Sequence, residues 1–168
     1  MQTVSRFACD AMLGGLARWL RAAGYDATWQ HGIADWDLIR HAREDSRALL
    51  SCDRGIFQIG TVRDGLVKSL RIPNGLSTQQ QLTLVLQAFN LSLSQPRCML
   101  CGGELRQIPR EQAVGEVPKR TLQWLTEFFR CTRCARVFWK GTHWNRIQPA
   151  LNAAAAGSPM FAEVAKTR

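Results

Sequence analysis

The architecture is set near the start of the chain by residues 6–21, Arg6-Phe7-Ala8-Cys9-Asp10-Ala11-Met12-Leu13-Gly14-Gly15-Leu16-Ala17-Arg18-Trp19-Leu20-Arg21. A short apolar run ends at Asp10. Apolar residues then recur at helical spacing, with Arg18 and Arg21 on the opposite face. The pattern predicts a strand followed directly by a helix that ends at Gly24. Asp10 would then lie at the carboxyl end of the strand, where open α/β sheets gather ligands. Taken alone, Asp10 is more readily explained as a helix N-cap.

A second strand has the same pattern. Residues 47–52 form a compact apolar run, typical of a buried parallel strand, and Asp53 follows it. A helix is predicted to begin between these strands near Asp35, which we place as its cap. Right-handed helical crossovers make the strands parallel, so Asp10 and Asp53 should emerge at one edge of the sheet, within reach of Asp35. Asp64 is a candidate fourth acid, in a stretch that fits a short helix or a loop.

Further strands are predicted at residues 25–29 and 67–72, and Ser77 is placed as the cap of a helix reaching Phe89. Strand and helix therefore alternate through residues 1–90. This alternation predicts a three-layer α/β fold with a central parallel sheet.

Carboxylates gathered at one sheet edge repel one another unless divalent cations lie between them. Mg²⁺ or Mn²⁺ held in this way can activate water and stabilise the leaving oxygen of a phosphodiester. The acids therefore suggest metal-dependent phosphoryl hydrolysis. The alternative is that they are three unrelated helix caps and turn residues.

The net charge of +9 is unevenly distributed, because residues 1–94 carry 10 Lys/Arg against 8 Asp/Glu and residues 95–168 carry 12 against 5. Concentrated basic charge suggests a polyanionic partner, nucleic acid first and an anionic membrane surface second, against the alternative of an ordinary basic surface. The sequence shows neither an apolar run of about 18 residues nor a signal-peptide pattern. We therefore expect a soluble cytoplasmic protein with no membrane partner.

Cysteines form two pairs in the second part, Cys98/Cys101 and Cys131/Cys134, separated by 29 residues. Two Cys-x-x-Cys knuckles can place four thiolates on one structural Zn²⁺. A redox dithiol is the weaker alternative, because two pairs occur in one small module. Cys9 and Cys52 are expected to be small buried side chains on adjacent strands. Residues 122–128 between the knuckles are compatible with a helix packed on the ribbon.

A stretch rich in aromatic and basic residues, Val137-Phe138-Trp139-Lys140-Gly141-Thr142-His143-Trp144-Asn145-Arg146, follows the second knuckle. Its aromatic rings can stack on unpaired bases while the cations meet phosphates. For Phe138, Trp139 and Trp144, packing in the ribbon core is an equally good explanation. His143 fits a general acid, a metal ligand or a surface residue. The Ala-rich residues 151–168 are expected to be weakly ordered.

Together these motifs resemble the Mut-seven C-terminal RNase domain family, which is PIN-like with an appended zinc ribbon. The resemblance covers roughly residues 5–150 and rests on the order in which several motifs follow one another. These motifs are residues 7–21, Asp35-Trp36-Asp37-Leu38, Ser51-Cys52-Asp53-Arg54, the two knuckles, and Trp139-Lys140-Gly141-Thr142-His143-Trp144. The chain departs from the family where Ser51-Cys52 replaces the usual Thr-Arg.

The resemblance implies a ribonuclease site in which Asp10, Asp35 and Asp53 hold Mg²⁺ or Mn²⁺. Asp37 falls where the family often has Glu, so either Asp35 or Asp37 is the ligand and the other a cap. Hydrolysis of RNA phosphodiesters is the predicted reaction. The predicted RNA-binding residues are Arg18 and Arg54 near the scissile phosphate, with Arg133, Arg136, Lys140, His143 and Trp144 in the ribbon.

We therefore predict a PIN-like nuclease domain over residues 1–92, a Cys₄ zinc ribbon over 95–150 and a weakly ordered tail over 151–168. One alternative is an RNA-binding module whose acids no longer turn over substrate. Another is the toxin of a toxin-antitoxin pair, as small PIN proteins often are. The sequence predicts no oligomeric state.

Overall fold

The computed structural model describes residues 5–157. Its first part alternates strands and helices, with a 3-10 helix before α1 (Ala11–Leu13) and another before α3 (Gly55–Gln58). The strands are β1 (Arg6–Cys9), β2 (Asp26–Trp29), β3 (Ala48–Ser51) and β4 (Ser69–Arg71), and the helices are α1 (Gly14–Ala22), α2 (Asp35–Glu44), α3 (Gly60–Arg63) and α4 (Thr78–Ala88).

The four strands form one parallel sheet in the order β2-β1-β3-β4. One face packs a large apolar core that includes side chains of α1 and α4. The other packs a smaller core that includes side chains of α2 and α3. The strand order reverses between β1 and β3, and such switch points are where α/β sheets bind ligands at their carboxyl ends. The predicted three-layer fold with a central parallel sheet is confirmed.

Local sequence signals begin α4 and end α1 as predicted. Ser77 caps α4 in a capping box, in which its side chain accepts from the N–H of Gln80 and the Gln80 side chain accepts from the N–H of Ser77. Gly24 follows α1 with a φ of 102°, and a Cβ there would lie 2.7 Å from Ser94. Only glycine fits this position, because it combines a left-handed backbone with a close chain approach.

Arg21 differs from the prediction that it lies on the outer face of α1. Its side chain is buried, and Nε donates to the carbonyl of Ala27 at 2.8 Å. Nη1 donates to the carbonyls of Met99 and Leu100 at 3.0 and 2.9 Å. A charged group is buried here because three carbonyl oxygens receive its protons. These bonds tie the end of α1 to the first cysteine knuckle.

The second part contains a ribbon and its helices. The antiparallel strands β5 (Leu105–Ile108), β6 (Phe128–Cys131) and β7 (Val137–Trp139) are hydrogen-bonded in that order. A 3-10 helix (Arg110–Ala113) and α5 (Lys119–Trp124) lie between β5 and β6. The helix predicted within 122–128 therefore ends at Trp124, because Phe128 instead begins β6 and packs in the ribbon core.

The last helix, α6 (Thr142–Ala156), extends beyond the point where the sequence predicted weak order. Leu151 and Ala154 are buried in the large core, and α6 packs against α4, so the prediction of weak order is wrong for residues 151–156. Residues 158–168 lie outside the described part of the chain. The division into separate domains stays a prediction. Even α6, the longest helix within residues 5–157, is too short and too polar to cross a membrane.

Candidate active site and metal centre

Asp10 lies directly after β1, at the switch point of the sheet, and is 7 % exposed. Its backbone N–H continues the pairing with β3 by donating to the carbonyl of Leu50 at 3.0 Å. Oδ1 accepts from the N–H of Ala11 at 2.5 Å, so Asp10 does cap the 3-10 helix that leads into α1. Oδ2 accepts from the hydroxyl of Ser51 at 2.6 Å, which capping does not require.

Ser51 connects two of the predicted site acids. Its hydroxyl donates to Oδ2 of Asp10 and accepts from the backbone N–H of Asp53 at 3.0 Å. Ser51 is fully buried, whereas Asp53 is exposed. Oδ1 of Asp53 accepts from the N–H of Gly55 at 2.7 Å. Within residues 5–157 no protein donor reaches Oδ2 of Asp53, so this oxygen is open to a ligand.

Asp35 was predicted as the cap of α2, and this prediction is wrong. Ala34 is the N-cap residue, and Asp35 is the first helical residue, with no capping hydrogen bond from its side chain. Partial burial and the neighbouring charges of Asp53 and Asp10 raise the pKa of Asp35. Asp35 is therefore close enough to Asp53 and Asp10 for their charges to influence its ionisation.

The remaining acids are paired with arginines. Asp37 lies 2.6 Å from Nη2 of Arg40, one helical turn away on α2. Asp64 lies 2.8 Å from Nε of Arg63, and both side chains are more than half exposed. The prediction was that one of Asp35 and Asp37 is a metal ligand and the other caps α2. Since Asp37 does not cap α2 either, neither aspartate has the predicted capping role.

Arg18 and Arg54 were predicted to lie near the scissile phosphate. Arg54 is exposed and follows Asp53 directly, at the N-cap of the 3-10 helix Gly55–Gln58. Arg18 is exposed on α1. Among the described residues neither guanidinium has a carboxylate partner within 4.0 Å. Both cations are therefore available to an anionic ligand.

The four knuckle cysteines form a compact cluster whose sulfur atoms all lie within 4.8 Å of one another. Sγ of Cys98 is 3.7 Å from Sγ of Cys134, and Sγ of Cys101 is 3.4 Å from Sγ of Cys131. Tetrahedral zinc with Zn–S bonds of about 2.3 Å requires sulfur separations of about 3.8 Å, so the cluster fits such an ion. The four cysteines can hold a metal such as zinc.

Backbone N–H donors help to lower the pKa of one of these thiols, and metals bind the deprotonated thiolate. Burial acts to raise the pKa of Cys131. The N–H groups of Cys134 and Arg133, each 3.4 Å from its sulfur, and the thiols of Cys101 and Cys134 together outweigh burial and lower the pKa to about 7. Burial raises the pKa of the Cys98 thiol to about 12 without a metal. A bound cation is what would make four neighbouring thiolates compatible with this environment.

Within residues 5–157, no other group of three or more His, Cys, Asp or Glu side chains is gathered as tightly as the four cysteines. The carboxylates of the acidic site are therefore more widely spaced than the cysteine sulfur atoms. Cys9 and Cys52 are outside the cluster. Cys9 is buried in β1, as predicted, and burial raises its pKa to about 12. Cys52 is only half-buried.

A cavity of about 830 Å³ gathers four of the five ribbon residues predicted to bind RNA, namely Arg136, Lys140, His143 and Trp144. Arg133 is engaged elsewhere, because its Nη1 donates to the carbonyl of Cys101 at 2.7 Å. Trp139 packs against the ribbon core, as the core-packing explanation expected. Trp144 packs against the large core instead, and Phe138 belongs to none of the apolar clusters among the described residues. RNA binding by these residues stays a prediction.

Sequence reasoning missed the contacts made by Ser51 and Arg21. A hydroxyl inside a strand that is otherwise fully buried was the available signal for Ser51, because buried hydroxyls require partners. For Arg21 the sequence shows only a cation three residues from Arg18 on a short helix, and this spacing does not indicate which of the two side chains is buried. The identities of their partners depend on long-range folding.

The fold and site define the class as an α/β protein with a central parallel sheet, followed by a three-stranded ribbon whose four clustered cysteines can hold a metal such as zinc. The chain belongs to the family described as the Mut7-C RNAse domain, whose model matches residues 5–151. Membership indicates a ribonuclease-like function and RNA as the class of substrate. No curated protein gives a significant match.

Proposed function

We propose that the chain is a metal-dependent ribonuclease whose acidic site is formed by Asp10, Asp35 and Asp53. One observation carries the proposal: the buried Ser51 hydroxyl bridges the Asp10 carboxylate and the Asp53 backbone. A set of unrelated caps would not need this bridge. Asp35 also caps no helix, yet it lies beside the other two charges.

The donor set suits a hard divalent cation such as Mg²⁺ or Mn²⁺, because all three groups are carboxylates. Burial, and after it the charges of Asp53 and Asp10, raise the pKa of Asp35, and a bound cation would offset this unfavourable ionisation. When bound there, the cation would supply Lewis acidity to activate water and to stabilise charge on the leaving oxygen. Oδ2 of Asp53 and the Asp35 carboxylate are the oxygens that no protein donor within residues 5–157 occupies.

The chain's own residues would position the RNA. Ser51 holds Asp10 in one orientation, so that the acidic edge is organised before substrate arrives. Arg54, adjacent to Asp53, and Arg18, on α1, are placed to hold phosphate oxygens of the strand. We assign Asp37 to α2 itself, through its pair with Arg40, rather than to the cation.

The ribbon would bind RNA outside the acidic site, and Zn²⁺ would be its structural ion. Its cavity carries Arg136, Lys140, His143 and Trp144, a combination of cations and an aromatic ring that suits RNA. The four thiols of the metal site need a reducing compartment to stay free, so we place the protein in the cytoplasm.

Cleavage of a labelled single-stranded RNA tests the proposal, with zinc-loaded protein assayed in Mg²⁺, in Mn²⁺, in Ca²⁺ and without added divalent ion. We expect cleavage in Mg²⁺ or Mn²⁺ only. Omission of the ion is preferable to a chelator, because a chelator also extracts zinc; zinc content is measured after each reaction. Cleavage that is independent of the added ion would contradict the proposal.

A second candidate is an RNA-binding protein without catalysis, which is favoured by the engagement of both Asp10 oxygens in protein hydrogen bonds. It predicts RNA binding that survives Asp10→Asn/Asp53→Asn and no cleavage in any ion. Binding measured alongside cleavage on the same RNA separates the two candidates.

A further inference from the structure

The cavity of about 830 Å³ lies where β7, the start of α6 and residues 95–100 meet. Its volume falls within the range of about 300–1,000 Å³ that is typical of ligand sites. It lies outside the acidic group, since none of the three site aspartates lines it.

Two aromatic rings of the cavity wall are not needed by the ribbon core. Phe129 and Phe138 are cross-strand partners on β6 and β7. In the adjacent pair, Phe128 is buried in the ribbon core, and Trp139 both packs against that core and lines the cavity. Successive residues of a strand point to opposite faces, so Phe129 and Phe138 share the other face. Both line the cavity and are half-buried. Phe138 belongs to none of the apolar clusters among the described residues.

The charge of the lining is of one sign. Arg97, Arg136 and Lys140 line the cavity, and no Asp or Glu does. Lys140 lies over the Phe129 ring, 5.6 Å from its centroid, and its only carboxylate partner within residues 5–157 is Glu127 at 3.1 Å. The Arg136 guanidinium has no carboxylate partner within 4.0 Å among the described residues. Arg97 likewise has no carboxylate partner within 4.0 Å among the described residues. Aromatic faces in a cavity that also carries these two unpaired guanidinium groups fit a ligand that is both aromatic and anionic.

The start of α6 adds further donors. Gly141, Thr142, His143 and Trp144 line the cavity, and α6 runs for 15 residues from this end. No side chain caps these first N–H groups, and the first turn contains no acidic residue. Free N–H groups and the positive end of the helix dipole favour a phosphate at this position.

We propose that this cavity binds unpaired nucleobases of a single-stranded RNA, with the flanking phosphates held by Arg136 and the N-terminus of α6. The proposal rests on the proposed function, in that it takes RNA as the partner, and adds the site and the form of RNA bound. Phe138 and Phe129 provide stacking faces, which an unpaired base can reach and a base inside a duplex cannot.

Binding is measured by fluorescence anisotropy with full-length, zinc-loaded protein and no divalent ion, so that the result does not depend on cleavage. The probes are a labelled single strand, a duplex of the same sequence and a strand of the same charge that lacks its bases. We expect the single strand to bind at least about ten-fold more tightly than the other two. Equal affinity for the single strand and the baseless strand would overturn the proposal.

Phe138→Ala should weaken single-strand binding about ten-fold and leave duplex binding unchanged. Trp124→Ala is the matched control, since Trp124 is 78 % exposed on α5 and does not line the cavity. Phe138→Leu keeps apolar volume without an aromatic face and should also weaken binding, which covers the case in which Phe138→Ala fails to fold. If Phe138→Leu binds like the wild type while folded and zinc-loaded, the stacking role is wrong.

Arg136→Gln should weaken binding to every nucleic acid and reduce the slope of log affinity against log salt by about one. Arg110→Gln, on an exposed residue outside the cavity, should leave both unchanged. A nucleoside monophosphate that competes as effectively as the strand would overturn RNA as the occupant. Because these assays contain no cleavage step, they can succeed while the nuclease proposal fails, and the reverse also holds.

Discussion

The hydroxyl of Ser51 donates a hydrogen bond to Oδ2 of Asp10 at 2.6 Å, joining the ends of the two central strands. Because the same hydroxyl accepts from the N–H of Asp53, one buried side chain contacts both the Asp10 carboxylate and the backbone of Asp53. The ends of β1 and β3 are therefore held together from inside the sheet.

Ser51→Ala should lower RNA cleavage by about 10–100-fold, the usual loss when a group that orients a metal ligand is removed. It should also destabilise the fold by about 1–3 kcal/mol, because the buried Asp10 loses a partner. Ser51→Thr retains the hydroxyl and should restore most of the cleavage. The measurements are single-turnover rates and urea denaturation; full activity in Ser51→Ala would show that the bridge has no part in catalysis.

Asp35 and Asp37 provide an internal comparison on one helix. Asp35→Asn should reduce cleavage by more than about 100-fold, because a proposed cation ligand is lost. Asp37→Asn should retain most activity, because it breaks only an exposed pair with Arg40. Rates at several Mn²⁺ concentrations check this prediction, and the opposite order of effects would assign the ligand to Asp37.

The same Asp35→Asn variant should be slightly more stable than the wild type at neutral pH without divalent ions. The pKa of Asp35 is raised in the folded protein, so its ionisation disfavours folding. This penalty is absent when the carboxyl is protonated in both states. The penalty develops as the pH rises from the ordinary pKa of an aspartate through the raised pKa of Asp35 in the folded protein. The gain should stay below about 1 kcal/mol, since the group is partly exposed. Thermal unfolding at acidic and neutral pH measures it; equal effects at both would contradict the electrostatic explanation.

Arg21 should couple the metal centre to the α/β domain. Arg21→Met keeps an unbranched side-chain stem but removes three hydrogen bonds to carbonyls, two of them on the first knuckle. Hydrogen bonds from charged groups are worth about 1.5–3 kcal/mol each, so we expect a large fall in melting temperature and faster zinc loss to a chelator. Arg18→Met, on the exposed face of the same helix, is the stability control. Unchanged zinc retention in Arg21→Met would show that the two parts are independent.

Most of the fold could be predicted from short-range sequence patterns. Alternation of apolar runs, the Ser77 cap and Gly24 placed the parallel sheet and its helices, because these signals act within one turn or one strand. The Cys-x-x-Cys spacing likewise predicted the metal cluster, which the structure confirms as a group able to hold an ion.

The features that sequence reasoning missed depend on distant partners. Arg21 is buried because three carbonyl oxygens accept its hydrogen bonds, and two of them lie 78 and 79 residues away. No helical pattern reveals carbonyls of a later segment. The C-terminal part of α6 has an Ala-rich sequence that suggests weak order, yet packing on α4 makes it helical to Ala156. At the acidic site, the edge could be predicted but the bridging hydroxyl could not.

The most direct measurement is the single-turnover rate of RNA cleavage in Mn²⁺ for the wild type, Asp10→Asn/Asp53→Asn and the exposed control Glu44→Gln, purified identically and matched in zinc content. The proposed site predicts a loss of more than about 100-fold in the double variant and an unchanged rate in Glu44→Gln. Equal rates in all three proteins, or a loss that follows zinc content rather than the acids, would contradict it.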